Sequence, residues 1–300
     1  MDWKESIQAF AHRLRFEKNF SENTIEAYTS DIQKLQYFAE NHLDGVMPLT
    51  ISYDQLQEYI YQSAKKAISE RSQARWISSI KAYFKFLFEE ELREDQPATL
   101  LELPKLGLYL PDTLSLEEID RITKAVDLDT PLGQRNLTII ETLYGCGLRV
   151  SELVNLKISN INFKENYMVV EGKGDKMRLV PLADYTAALM WQYMQESRAK
   201  LKISPKASDV LFLNQRGSGM SRVMVFLIIK DLAQKADIHK NISPHTFRHS
   251  FATHLLKNGA DLRYIQEMLG HSSITTTEIY THIEKAELHD TIIKYHPRNQ

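Results

Sequence analysis

The chain has 300 residues, of which 43% are hydrophobic and 25% charged, as in an ordinary globular protein of about two domains. Lysine and arginine total 37 against 39 acidic residues, so a nucleic-acid surface requires local clustering of cations. No run of about 18 apolar residues suggests a membrane span, and the N-terminus lacks the apolar core of a signal peptide. A single cysteine, Cys146, excludes an internal disulfide. We therefore expect a cytoplasmic protein without membrane insertion.

Residues 1–103 have the apolar spacing of helices throughout and are expected to form one helical domain. One of its helices, with an apolar stripe on the opposite side, repeats polar and mostly cationic side chains at intervals of three or four, namely Arg71, Arg75, Ser78, Lys81 and Lys85. Such a face is either simply solvated or a ridge that contacts the phosphates of a duplex. The prolines and glycine that follow predict a linker over residues 104–112.

Residues 113–300 are expected to form a second domain that is mainly α-helical with a small antiparallel sheet. Ser115 and Glu118 have the spacing of a capping box at a helix start. Residues 167–170 and 177–180 alternate like strands, joined by a hairpin turn at 172–175, and 162–163 is a candidate third strand. After Ala183 the pattern is helical again, apart from a loop at 215–219.

The segment from residue 245 to 280 brings a phenol, two imidazoles and a guanidinium close together in the sequence. These are Tyr280, His245, His271 and Arg248. Pro244 marks a helix start that places His245 and Arg248 one turn apart on the same face, and Gly270 is expected to end the helix before His271. A phenol becomes a nucleophile when a base takes its proton and a cation receives the charge that develops. Arginine suits a phosphate, because its planar fork donates two parallel hydrogen bonds and keeps its charge. The segment therefore indicates phosphoryl transfer through a covalent phosphotyrosine.

Three further features bear on this interpretation. His245 and His249 have the i, i+4 spacing of zinc ligands, but Thr246 replaces the expected glutamate and the charge of Arg248 opposes a cation. Arg149 follows two glycines, and Lys173 lies between two more at a predicted turn tip. Taken alone, each of these two cations is as well explained by an exposed surface position.

Together the motifs resemble the tyrosine recombinase (phage integrase) family and, within it, the Xer chromosome-dimer resolvases. The resemblance spans essentially the whole chain and is carried by residues 21–25, 144–153, 172–176, 244–254, 269–271 and 276–282, and by the ending 296–298. All six active-site positions of the family hold the expected residue type, in the order Arg149, Lys173, His245, Arg248, His271 and Tyr280.

The resemblance implies a reaction in which Tyr280 attacks a DNA phosphate and leaves a 3′-phosphotyrosyl link. His245 would act as the base, and Lys173 would protonate the departing 5′ oxygen. The two arginines would clamp the non-bridging oxygens, with a third hydrogen bond from His271. No metal, ATP or other cofactor is implied.

The resemblance also implies partners: duplex DNA with a dif-like site inside a C-shaped two-domain clamp, a second Xer recombinase in a heterotetramer, and an FtsK-like DNA translocase. The final residues, about 290–300, are expected to dock on a neighbouring protomer. The candidate DNA-contacting residues are Arg71, Arg75, Lys81, Lys85 and Arg222. Rival interpretations are a transposon or phage integrase, a type IB topoisomerase, a non-catalytic DNA-binding protein and a metallohydrolase.

Overall fold

The computed structural model describes residues 1–18, 20–65, 69–104, 112–130, 132–172, 177–270 and 282–299, without the side-chain surroundings of 64 and 282–286. The chain divides into two compact units, Met1–Tyr109 and Leu110–Gln300. The predicted linker at 104–112 lies almost entirely outside the described residues and stays a prediction.

The first unit is helical, as expected. Its helices are α1 (Trp3–Phe16), α2 (Glu22–His42), α3 (Tyr53–Ala64) and α4 (Glu70–Glu89). Asp2 and Ser52 begin α1 and α3 with capping boxes, which satisfy backbone N–H groups that lack a partner in the first turn. The apolar stripes of the helices meet in one core, where Ile32, Leu56 and Phe84 are fully buried.

The second unit is mainly helical and is built around one buried helix. Its helices are α5 (Leu116–Lys124), α6 (Gly133–Cys146), α7 (Val150–Val154), α8 (Asp184–Gln192), α9 (Arg222–Lys235), α10 (Pro244–Lys257), α11 (Leu262–Leu269) and α12 (His282–Tyr295). Most of α6 is buried, and it packs against α5, α8, α9 and α10. Ser115 caps α5 with Glu118, as the sequence predicts. No helix in the described ranges is long and apolar enough to cross a membrane.

A three-stranded antiparallel sheet completes the second unit and confirms the predicted strands. It consists of β1 (Ile161–Asn162), β2 (Tyr167–Glu171) and β3 (Met177–Pro181), in the order β1-β2-β3. Met168 and Val170 point to the buried side of β2, and Val170 lies opposite Arg178 on β3. The sheet fixes where β3 runs relative to the helices of the same unit.

The helical structure expected for residues 201–214 is wrong. This segment has only a short 3₁₀ turn, Pro205–Ala207, and it forms isolated β-bridges that pair Val210 with Lys157 and Leu213 with Gly219. The loop expected at 215–219 is present. In it Gly217 has a left-handed φ of 71°, and a Cβ there would lie 1.9 Å from the carbonyl oxygen of Lys202. Such a close approach between backbones is open only to glycine.

The C-terminal residues up to Asn299 pack on their own unit in this single chain, and the expected docking on a neighbouring protomer stays a prediction. Ile292 and His296 are fully buried. The guanidinium of Arg298 donates two hydrogen bonds to the buried carboxylate of Glu141, at 2.8 and 3.0 Å, and a third to Asp120. A buried carboxylate on α6 requires a charged partner, and the chain end supplies it.

Candidate active site

Arg149 is placed by the tight turn that ends α6. Gly147 has a left-handed φ of 59°, and a Cβ on it would lie 2.6 Å from Cδ1 of Phe251 on α10. Only glycine allows this close approach of the turn to α10. Arg149 then begins α7, where its backbone N–H and its Nη1 each donate to the carboxylate of Glu152 at 2.7 Å. The guanidinium is therefore already oriented in the folded chain.

Arg248 reaches the same region from α10 and is far more buried. Its residue is 9% exposed, and Nη1 donates to the carbonyl of Gly147 at 2.7 Å while Nη2 donates to that of Leu269. Burial and the nearby charge of Arg149 lower the pKa of the Arg248 guanidinium to about 10, so it stays cationic at neutral pH. Glu152 lies 3.9 Å from Nη1.

The C-terminal end of α11 is held by three guanidinium groups. Its last carbonyls lack partners within the helix and form the negative end of its dipole, so cations stabilise them. Nε of Arg178 donates to the Met268 carbonyl at 2.7 Å. Nη2 of Arg248 donates to the Leu269 carbonyl. Nη2 of Arg149 donates to the Gly270 carbonyl at 3.2 Å. Gly270 ends the helix in the left-handed conformation, as predicted. These contacts fix the backbone directly before His271.

Glu152 connects these arginines and was missed at the sequence level. Its carboxylate, 2% exposed, receives two hydrogen bonds from Arg178, at 2.7 and 2.8 Å, besides those from Arg149. Burial raises the pKa of Glu152, but the hydrogen bonds and charge of Arg178 outweigh it, so the net pKa is lowered. Its position three residues after Arg149 at a helix start was a usable signal. No local sequence pattern indicated a role for Arg178.

His245 lies in the first turn of α10, which begins at Pro244 as predicted. The prediction put His245 and Arg248 on one face. The structure leaves the imidazole exposed and buries the guanidinium one turn later. His249 is half-buried. In the described residues, no group of three His, Cys, Asp or Glu side chains is arranged to hold a metal ion.

Three of the six predicted active-site residues lie outside the described residues: Lys173, His271 and Tyr280. Their neighbours in the sequence are placed. Glu171 ends β2 and Met177 begins β3 on either side of Lys173. Gly270 and His282 flank the stretch that contains the other two. The described structure therefore stops just after β2 and at the end of α11, and it resumes at β3 and at α12.

The candidate DNA-contacting cations of the first unit are bound to protein groups in the structure. Arg75 pairs with the buried carboxylate of Asp31 at 3.1 Å. Lys81 donates to the Thr99 carbonyl at 3.0 Å, and Lys85 lies 3.6 Å from Glu89. Arg71 is exposed at the start of the same helix, α4. In the second unit, Arg222 is exposed at the first residue of α9.

Comparison with known protein families identifies the class. The Phage integrase family model matches residues 112–287, and the model described as Phage integrase, N-terminal SAM-like domain matches residues 7–91. The chain therefore belongs to the phage integrase family. It is a site-specific tyrosine recombinase, an enzyme of DNA strand exchange, and the predicted mainly α fold with a helical N-terminal domain is confirmed.

Particular relatives are similar along almost the whole chain. Tyrosine recombinase XerD from Listeria innocua is 39% identical over 292 residues, covering 97% of this chain and 98% of the relative. The XerD protein from Oceanobacillus iheyensis is 40% identical over 293 residues, covering 98% of each. The crystal structure of the XerH site-specific recombinase bound to a palindromic difH substrate has a TM-score of 0.69, covers 92% of this chain and 81% of its own, and is 23% identical. The expected Xer resemblance is thus confirmed, and the XerH likeness concerns the fold.

Proposed function

We propose that this recombinase cuts and rejoins duplex DNA at a dif-like site through a 3′-phosphotyrosyl link on Tyr280. Its role would be to resolve chromosome dimers during segregation, in the cytoplasm and at the nucleoid. The observation that carries the proposal is the convergence of Arg149 and Arg248. Arg149, at the start of α7, donates to the carbonyl of Gly270, and Arg248, on α10, donates to that of Leu269. The two acceptors are consecutive in the chain.

The two arginines suit the stabilisation of a phosphate in its transition state. The guanidinium of Arg248 stays cationic at neutral pH. The Arg149 side chain is 31% exposed, within reach of a ligand. Negative charge grows on the non-bridging oxygens as the nucleophile attacks, so donors fixed in advance stabilise the transition state most. A phosphate oxygen would take the place of a carbonyl as acceptor, with bidentate geometry.

The remaining steps are assigned to the other four predicted residues. A free tyrosine phenol has a pKa of about 10, so the phenol of Tyr280 must lose its proton, here to His245, as its oxygen bonds to phosphorus. The bond from phosphorus to the 5′ oxygen breaks, and Lys173 delivers a proton to that oxygen. His271 donates to the same oxyanion as the arginines. The phosphotyrosyl link keeps the bond energy, so a 5′ hydroxyl of another duplex reverses the reaction without metal or ATP.

The relatives support the proposed partners. XerH is bound to its difH substrate in the solved complex, which supports duplex DNA as the partner here. We further propose a heterotetramer with a second, XerC-like recombinase and control by an FtsK-like translocase, since the relatives named XerD match almost full length. The proposed DNA contacts are Arg71, Arg75, Lys81, Lys85 and Arg222.

A covalent trapping assay tests this function. Protein is incubated with a nicked suicide duplex, from which the product strand diffuses away, and adducts are separated on a denaturing gel. We expect an adduct with the natural chain and none with Tyr280→Phe. Tyr185→Phe, which removes the hydroxyl of a tyrosine that is 44% exposed in the same unit, serves as the matched control and retains the adduct. An adduct in Tyr280→Phe would place the nucleophile elsewhere.

A further inference from the structure

Arg178 is a buried cation whose side-chain hydrogen bonds to the described residues go to the candidate active site. Its side chain is 6% exposed. Nη1 and Nη2 donate to the two carboxylate oxygens of Glu152 at 2.7 and 2.8 Å, and Nε donates to the Met268 carbonyl at 2.7 Å. The fork geometry of a guanidinium permits this three-point contact, which the single ammonium of a lysine does not reproduce.

The end of α11 is shaped to lie on Arg178. Gly270 has a left-handed φ of 65°, and a Cβ there would lie 3.0 Å from Cδ of Arg178 and 3.3 Å from its Nε. A side chain at position 270 would therefore clash with Arg178. It would also be strained by the left-handed φ, which glycine adopts readily. The glycine that directly precedes His271 is thus in contact with Arg178.

The chain position of Arg178 joins parts of the site that are distant in sequence. It is the second residue of β3, the strand that follows Lys173 in the sequence, and it is paired with Val170 on β2. From there it reaches Glu152, which holds Arg149, and the last turn of α11. One side chain thus connects the arginine clamp with the two strands beside Lys173.

Stability alone is a poor explanation for such a group. Burying a guanidinium and a carboxylate carries a large desolvation penalty, and apolar residues of the same volume usually stabilise a fold as well or better. Arg198 provides the contrast in the same unit. It is 8% exposed and donates to carbonyls of residues 207–211, away from the site.

We propose that Arg178 is a positioning residue of the recombination reaction: it fixes the Glu152 carboxylate and, through it, the Arg149 guanidinium that binds the phosphate. The proposal rests on the proposed function. Without Arg178, Glu152 keeps its contact with Arg149 but loses two of its hydrogen bonds, so the carboxylate and the clamp shift together. A displacement of about 1 Å at a reacting centre lowers rates by about 100-fold.

The first experiment measures single-turnover cleavage of the suicide duplex at saturating protein, together with duplex affinity and the melting temperature. We expect Arg178→Gln to lower the cleavage rate by about 100-fold with little change in affinity. Arg178→Lys should recover only a small part of the lost cleavage rate, because lysine lacks the guanidinium fork. The matched control Arg198→Gln should lower the melting temperature to a similar extent and leave cleavage close to that of the natural chain.

A second experiment identifies the step through chemically altered DNA. A methylphosphonate replaces one charged non-bridging oxygen by a methyl group, so the clamp matters less, and the defects of Arg178→Gln and Arg149→Ala should shrink together. A 5′-bridging phosphorothiolate, whose sulfur leaves without an acid, should not relieve the Arg178→Gln defect. Adding Glu152→Gln to Arg178→Gln should cause little further loss, since both act through one contact.

The outcomes separate the two proposals. Cleavage by Arg178→Gln at the natural rate, or an equal loss on all three substrates that follows the melting temperature, would overturn the positioning role. Rescue by the phosphorothiolate would also overturn it, because the defect would then lie with the acid. Absence of any adduct from the natural chain would instead remove the proposed function.

Discussion

Glu152 and Arg149 are joined twice: the backbone N–H and the Nη1 of the arginine each donate to the carboxylate at 2.7 Å. The contact holds the guanidinium in place while leaving 31% of the Arg149 side chain exposed. Fixing a long side chain costs up to about 2 kcal/mol of conformational entropy, which the protein here loses on folding and not on binding DNA. Arg248, 10% exposed, is held more firmly still.

The two arginines should therefore differ in their effect on stability while sharing an effect on catalysis. We expect Arg149→Ala and Arg248→Ala each to lower cleavage by about 100- to 1,000-fold, the loss typical of one donor to a developing oxyanion. Arg248→Ala should also lower the melting temperature more, because it strands the carbonyls of Gly147 and Leu269 in a buried site. Arg121→Ala, at an exposed position on α5, is the control for both measurements. Equal destabilisation by the two alanines would contradict the structure.

The turn before Arg149 should not tolerate a side chain. Gly147→Ala combines a left-handed φ of 59° with a Cβ placed 2.6 Å from Phe251. We expect a loss of about 2 to 5 kcal/mol in the free energy of unfolding from strain and overpacking together. Gly259→Ala is the matched control in the same unit, because its φ is also positive, 97°, but its nearest neighbour is 3.7 Å away. Urea unfolding of both variants would measure the two losses in the free energy of unfolding. Similar losses in Gly147→Ala and Gly259→Ala would contradict the packing argument.

Buried His296 should make the second unit sensitive to mild acid. Burial lowers the pKa of His296 to about 3, with Arg298 and His254 nearby and Tyr144 against the ring. Because the folded pKa lies below the unfolded value of 6.5, its stabilisation is complete above pH 6.5 and is lost as pH falls towards 3. That loss amounts to about 1.4 kcal/mol per pH unit from this one group.

The comparison for this effect is the pH dependence of unfolding in His296→Gln, which cannot gain the proton. Between pH 6 and 4 its free energy of unfolding should fall less steeply with pH than that of the natural chain. The difference in slope should correspond to the binding of about one proton on unfolding. His239→Gln, at a side chain that is 90% exposed, should keep the natural slope. Parallel curves for His296→Gln and the natural chain would show that the imidazole titrates normally.

Lys173→Ala should be defective only where a leaving oxygen needs a proton. On the ordinary suicide duplex we expect cleavage to fall by about 100- to 10,000-fold, the range of general acid catalysis. On a 5′-bridging phosphorothiolate the same variant should approach the natural rate, because the thiolate leaves unaided. Lys164→Ala, on the β1–β2 turn, is the control. A defect of the same size on both substrates would remove the acid role.

Cleavage should proceed without a divalent metal. In the proposed mechanism, the guanidinium groups of Arg149 and Arg248 supply the positive charge that metal ions supply in other phosphoryl-transfer sites. Adduct yield on the suicide duplex is therefore expected to be the same with EDTA and with Mg²⁺ at equal ionic strength, which must be matched because DNA affinity depends on salt. Loss of the adduct in EDTA would sink this mechanism.

Local features were predictable because they depend on neighbours in the sequence. The capping box of Ser115, the alternation of Met168 and Val170, and the helix end at Gly270 all formed as predicted. Each follows from side chains within about four residues, or from the conformational freedom of glycine. The helical structure expected over 201–214 did not form, because contacts with distant backbone, such as the β-bridge of Val210 with Lys157, outweighed the local pattern.

The sequence by itself determined that both domains are mainly helical and that the second contains a small sheet. Through the family motifs, it also indicated which residues form the site. Only the tertiary structure decided how charges are shared within it. Arg178 meets Glu152 across 26 residues, and Arg298 meets Glu141 across 157. No periodicity encodes such pairs, because a buried charge is governed by the loss of water around it and by the partner that the fold brings within hydrogen-bond distance.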